Sequence, residues 1–189
     1  MTKSLLFSAL LLSNWPAASA DPLDISNHDS VETIRIDHEI RQVEGWNVHV
    51  DTSLLEGEHK DLGDLALRVL GQRLHRIVLR IPEGPVQKLQ EVPIYLDRAH
   101  PIGNAHFHPC ADWLESHGYD PAMAKAIHLT HAKSLINAAS SPRGGCVVLH
   151  ELAHAYHDRV LGFDHEEILT TYRSFCDTEK FDMARSASG

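Results

Sequence analysis

The chain is 189 residues long and 43% hydrophobic, with a formal net charge of −9 and 15 histidines. That length suits one domain with a single core. An acidic balance with no basic stripe excludes nucleic acid and anionic membrane as natural partners. The cysteines are Cys110, Cys146 and Cys176, an odd number that leaves at least one thiol unpaired within a monomer. Cys146 reads as a buried, inert thiol at the start of a helix.

In chain order, the first element is a processing segment. Lys3 supplies a positive charge, residues 5–12 form a short apolar run, and Ala18-Ser19-Ala20 is an A-x-A cleavage pattern. Residues 1–20 are therefore expected to be a signal peptide removed before Asp21. The mature protein is expected to be exported, secreted or periplasmic. No membrane attachment is expected after cleavage, because the apolar run is too short to span a bilayer. Residues 21–30 are polar and read as a flexible lead-in. The domain itself is expected over 31–182, with a disordered tail at 183–189.

Within the domain, alternation predicts strands over 33–37 and 46–51, joined by a turn at Glu44-Gly45. Leu62, Leu65, Leu70, Leu74, Ile77, Val78 and Ile81 recur at helical spacing and predict a helix over 61–81, ended by Pro82. Residues 86–90 read as a helical turn. A strand follows at 92–97, and Pro93 near its start points to an edge position. Further strands are predicted at 104–108 and 126–130, with a short helix at 112–117 stopped by Gly118. A helix at 132–139 and a loop at 140–145 lead to a helix bounded by Gly145 and Gly162. Ile168, Leu169, Tyr172 and Phe175 predict one more amphipathic helix, with Asp164 and Glu167 at capping-box spacing. A few strands followed by helices read as α+β.

The helix before Gly162 carries His150-Glu151-Leu152-Ala153-His154, an H-E-x-x-H run. Even in a chain this rich in histidine, about 0.07 such matches are expected by chance. At about 100° of rotation per residue, positions i and i+4 lie one turn apart on one face. His150 and His154 are therefore the candidate ligands of a Zn²⁺ cofactor. Glu151, beside the first ligand, reaches a water rather than the metal. Zinc brings that water's pKa near neutrality and a carboxylate can take its proton, which starts peptide-bond hydrolysis. Glu151 is thus the candidate catalytic residue. Leu149, Leu152, Ala153, Tyr156 and Val160 predict the core-facing stripe of this helix, with His150, His154 and His157 on a different arc.

A catalytic zinc takes three protein ligands. The metzincin extension needs a Gly three and a His six residues after the second histidine. His157 and Val160 stand there and exclude that class. The remaining third-ligand candidates are Glu166, Glu167, Glu179 and His157, beside a site with no third ligand. Glu167 reads first as a helix cap, Glu166 as solvated, and His157 as a residue behind the ligands or in the core. His106, His108, His128 and His131 come from the strand region and are free to line a cleft.

The run from His150 through Gly162 resembles exported zinc metallopeptidases akin to the catalytic domain of anthrax lethal factor. The likeness includes residues 44–50 (EGWNVHV), 92–96 (VPIYL), 108–114 (HPCADWL) and 117–121 (HGYDP), and covers about 31–182. The resemblance implies a zincin-like metallopeptidase domain, with a small twisted sheet over the H-E-x-x-H helix. It implies an edge strand that pairs with an extended peptide or protein substrate. It matches His150 and His154 to the zinc ligands and Glu151 to the general base. It also implies a third-ligand Glu on a later helix and a Tyr that assists the oxyanion. No such pair stands before Gly189, Tyr172 being a poor counterpart, so the expectation is a C-terminally truncated member of this gluzincin-type group.

The expected function is that of an exported zinc metallopeptidase. The alternative is a truncated, non-catalytic zinc-binding exported protein, a pseudoenzyme. A third reading, a histidine-rich metal buffer or periplasmic interaction protein, lacks the tract-like clustering such proteins use.

Overall fold

A computed structural model describes residues 34–139 and 147–177. The expected signal peptide (1–20), the lead-in (21–30), the loop 140–145, Cys146, Glu179 and the tail 183–189 lie outside the described residues.

Strands β1 (His38–Val43) and β2 (Trp46–Asp51) form an antiparallel hairpin. Its turn residues, Glu44 and Gly45, have φ of 51° and 90°. Positive φ at both positions gives the primed turn whose twist matches the flanking strands. A Cβ at Gly45 would lie 2.3 Å from the end of the Gln90 side chain, which would have to swing aside. That side chain is held by a 2.9 Å bond from its amide to the Glu44 carbonyl. The turn sets the pairing, so β1 begins at His38 rather than at 33. Among the described residues of the predicted segment only Ile34 makes a bridge, to Tyr119. The alternation at 33–37 was misleading because the hairpin turn, and not side-chain pattern, chose the register.

Helices α1 (Lys60–Val78) and α2 (Glu83–Gln90) lead to β3 (Ile94–Leu96) and β4 (His106–Phe107). Then come α3 (Ala111–Ser116), β5 (Ile127–Leu129), α4 (Ala132–Ala139) and α5 (Val147–Tyr156). A π-helical turn, His157–Leu161, separates α5 from α6 (Glu166–Cys176). The described residues thus form a mixed α+β fold with six helices and one five-stranded sheet. Its strand order is β1-β2-β3-β5-β4. The three central strands are parallel, and β1 and β4 are antiparallel to their neighbours.

The edge position predicted for the segment 92–97 is corrected: β3 lies between β2 and β5. Pro93 falls just before the paired residues, and its carbonyl accepts from the Ile127 amide at 3.0 Å. A proline at the very start of a strand gives up no ladder bond.

The two faces of the sheet differ. Trp46, Val48, Val50, Ile94, Leu96, Ile127 and Leu129 point to the face covered by helices. There they join Leu70 and Leu74 of α1, Leu135 of α4, and Val148, Leu152 and Ala155 of α5 in the main core. Full burial of each large aliphatic side chain contributes about 1.5–3 kcal/mol. The Trp46 indole N–H donates to the Leu89 carbonyl at 2.8 Å, tying β2 to α2. At Gly63 of α1, a Cβ would sit 1.9 Å from the Leu54 carbonyl oxygen, so no side chain fits. On the opposite face the intervening residues His49, Tyr95, His128 and His106 lie in register across β2, β3, β5 and β4. The period of two in a strand sends aliphatics one way and these rings the other. Tyr95 packs there with Leu114, Met123 and Ala126 in a second, smaller cluster. No helix among the described residues is long and apolar enough to cross a membrane.

Candidate metal centre

Helix α5 lies along β4 and β5 and presents Val148, Glu151, Leu152 and Ala155 as its buried residues. This corrects the predicted stripe. Of that set only Leu152 is fully buried; Leu149 is 39% and Val160 43% exposed, and Ala153 is exposed. Leu149, Ala153 and Tyr156 instead line an open apolar groove with Leu89, His157 and Ile168. The groove touches α5 but not His150, Glu151 or His154. Sequence periodicity locates an amphipathic helix and leaves the core-facing angle uncertain by a residue when apolar side chains occupy most of the circumference.

His150 is exposed and His154 half-buried. Their Nε2 atoms are 3.1 Å apart, and the rings stand edge to face. With Zn–N distances of about 2.05 Å, that separation subtends about 100° at an ion, within the spread of tetrahedral sites. The pair therefore fits one zinc. Burial, with smaller effects from His150 and His157, holds the His154 pKa below the usual histidine value, which keeps the ring neutral and able to ligate.

Glu151, next to His150 on the helix, is buried and reaches the sheet edge with one carboxylate oxygen. Burial pushes its carboxyl pKa up; His150 and a hydrogen bond from the Phe107 amide act against that rise. The Phe107 bond is 2.9 Å long, onto Oε2. In an antiparallel pair the amides of successive residues face opposite sides. His108 N–H bonds inward to the Ala126 carbonyl of the segment leading into β5. Phe107 N–H consequently faces the open edge of β4, and Glu151 meets it there.

Among the described residues no third side chain closes on the pair. Glu166 and Glu167 are exposed in the first turn of α6. The capping role predicted for Glu167 is corrected: the N-cap is His165, and no side chain caps that end. His157 stands in the π turn, packed on Phe163 with ring centroids 5.2 Å apart, and its Nε2 is buried without a hydrogen-bond partner. Glu179 lies outside the described residues. Tyr172 is on α6, with its hydroxyl bonded to Cys176 one turn later, which raises its pKa.

Histidine gathers a second time on the far face of the sheet. Asp97, at the end of β3, accepts from His38 Nε2 on Oδ1 and from His128 Nε2 on Oδ2, each at 2.7 Å. His128 Nδ1 lies 3.3 Å from His108 Nε2. Which of these two rings donates is set by the tautomer of each. His100 sets its ring edge-on to His128, centroids 4.6 Å apart. Asp97 and His128 are fully buried, and His100 and His108 are 4% exposed.

Burial pushes the Asp97 carboxyl up, but hydrogen bonds and charge from His128 and His38 outweigh it and hold the pKa at about 2. Burial, reinforced by His128, lowers His100 to about 4 and His108 to about 3. His108 and His128, free by sequence to line a cleft, stand in this buried network instead. Asp97, His38 and His100 stand in no motif and at no spacing that marks them for this site. The only available signal was the period of two in 127–129, which turns His128 away from Ile127 and Leu129. His106 is half-buried, with its ring 6.2 Å from that of His108. His131 is half-buried and bonded to Thr130.

In comparisons with known proteins, no family model, no curated protein and no solved structure matches the chain.

Proposed function

We propose that this chain is an exported zinc metallopeptidase of zincin-like architecture. His150 and His154 are its zinc ligands, Glu151 its general base, and an extended peptide its substrate. The observation that carries the reading is the 3.1 Å approach of the two Nε2 atoms on successive turns, with Glu151 buried beside them. Export rests on the signal-peptide pattern of residues 1–20.

Zinc bound to the pair would supply Lewis acidity at the scissile carbonyl and a water with a pKa near neutrality. Glu151 takes the proton of the attacking water and passes it to the leaving amine. Its burial suits that work, because a carboxylate held above its usual pKa is a stronger base and takes a proton more readily near neutral pH. β4 is the terminal strand of the sheet. Apart from the Phe107 amide, which Glu151 takes, its outer edge is open to the backbone of an extended peptide. The Phe107 amide bonded to Glu151 marks where such a peptide would run past the base.

The test is peptide hydrolysis and zinc content of the purified protein. Glu151→Gln should keep zinc and lose turnover by about 10²-fold or more. His154→Ala should lose both. Undiminished hydrolysis by Glu151→Gln overturns the assignment.

One observation favours a second reading. Among the described residues the histidine pair has no third ligand. A non-catalytic zinc-binding exported protein would retain weakly held zinc at His150 and His154 and hydrolyse no member of a peptide library.

A further inference from the structure

We propose that Asp97, His100 and His128 form a second metal site, closed to solvent, for a divalent transition ion of the zinc class. One ligand atom from each of the three lies within 4.8 Å of the other two. A carboxylate oxygen with two imidazole nitrogens is a donor set suited to zinc and its first-row neighbours. The inference does not depend on the peptidase reading, because the two sites share no residue.

The network is larger than a hydrogen-bonded carboxylate requires. His38 and His128 already satisfy the two oxygens of Asp97. His100 makes no bond to Asp97, yet it is buried against Asp97 and His128 at ligand distance. Its one recorded bond is a long 3.3 Å contact from the Ile102 amide to Nδ1, so little is lost when the ring turns a lone pair to an ion.

The supporting partners are in place as well. With an ion on Nε2, His128 carries its proton on Nδ1 and donates it to His108 Nε2, 3.3 Å away. His38 continues to hold the other oxygen of Asp97. Hydrogen bonds of this kind to the far side of each ligand orient it and raise its basicity. Backbone bonds then hold the ligand-bearing segments. The Asp97 amide donates to the Leu129 carbonyl at 3.0 Å, and the Asp97 carbonyl accepts from Ala132 at 2.8 Å. Three ligands leave a fourth position that a buried water can fill, and ligands 0–4% exposed keep a substrate from reaching it. The work of the site is structural: it pins the loop between β3 and β4 to β5, behind the strand edge that carries Phe107.

The experiment counts metal in the mature protein after loading with zinc chloride and dialysis against a weak chelator. It is done on the His150→Ala/His154→Ala protein, whose substitutions fall on an exposed and a half-buried position of α5, away from the cluster. One ion per chain should survive dialysis, and zinc should raise the melting temperature of the stripped protein. Adding His100→Ala should remove that ion and abolish the zinc-dependent rise, while circular dichroism confirms that the chain is folded. A folded double variant that retains no ion overturns the proposal. So does an ion that persists in the triple variant, since surface histidines would then be holding it. Failure of the peptidase reading leaves both counts unchanged.

Discussion

The two histidine groups of this protein are built in opposite ways. His150 and His154 are four residues apart on one helix, and the geometry of α5 alone brings their Nε2 atoms to 3.1 Å. One is exposed and the other half-buried, so solvent can reach them. His38, Asp97, His100, His108 and His128 come from β1, the end of β3, the loop before β4, the residue after β4, and β5. Only the sheet brings them together, and almost nothing reaches them from outside. The difference separates chemistry from architecture. A reactive centre needs access and sits on the surface of a rigid element. A buried polar cluster must satisfy every member internally, because an unmet charge or hydrogen bond there is costly.

The comparison is testable by perturbing each group in turn. The largest effect on stability is expected from Asp97→Asn. It replaces the charged acceptor of the His38 and His128 hydrogen bonds by an amide that can accept only one of them, a loss of about 1.5–3 kcal/mol. Urea denaturation of the variant beside wild type measures it. A loss below about 1 kcal/mol would show that the cluster is not a stabilising centre.

Mild acid should act on the same cluster in metal-free protein. His100 and His108 have folded pKa values of about 4 and about 3, below the usual 6.5. As pH falls below about 6.5 the unfolded chain binds protons that the folded chain refuses, so stability falls. Asp97 adds a further loss. Its stabilisation is complete above its unfolded pKa of 3.8 and disappears as pH falls toward about 2. Urea midpoints with chelator present should drop steadily from pH 7.5 to 5. A flat profile over that range would break the assignment of buried, neutral rings.

The motif helix should respond more mildly in stability. Glu151→Gln replaces a buried carboxylate whose charge is disfavoured by burial with a neutral group of the same shape. Stability should therefore change by no more than about 1 kcal/mol, while turnover is lost. Thermal melting and peptide hydrolysis on one sample separate the two effects. The smallest change in stability belongs to His150→Ala, within about 0.5 kcal/mol for an exposed side chain. A large loss of stability there would show that the motif, too, is part of the framework.

Much of the fold was legible from residues that interact locally. Glu44-Gly45 announced the hairpin, the leucines of 62–74 announced α1, and residues 46–51 were located to the residue. These features are decided by φ, by periodicity and by turn chemistry within a few positions of one another. The errors fall where a partner distant in sequence decides. Pro93 looked like the mark of an edge, but β5 pairs beside β3 and begins its ladder one residue later. Leu149 and Val160 looked like core, but the sheet meets α5 on the arc of Val148, Leu152 and Ala155. The Asp164–Glu167 spacing looked like a capping box, but the chain enters α6 through His165.

The sequence by itself determined the H-E-x-x-H pair, because a helix converts a spacing of four into one face without help from the rest of the chain. It also determined that histidines and aliphatics would part on the strands, since the pleat alternates sides. Tertiary structure alone decided that His38, His100 and His128 would meet at Asp97. Those residues are separated by up to 90 positions along the chain, and only the pairing order β1-β2-β3-β5-β4 brings their ends to one place. Local rules carry information over a few residues; the convergence of side chains from different strands and loops is set by which strands become neighbours and in what register.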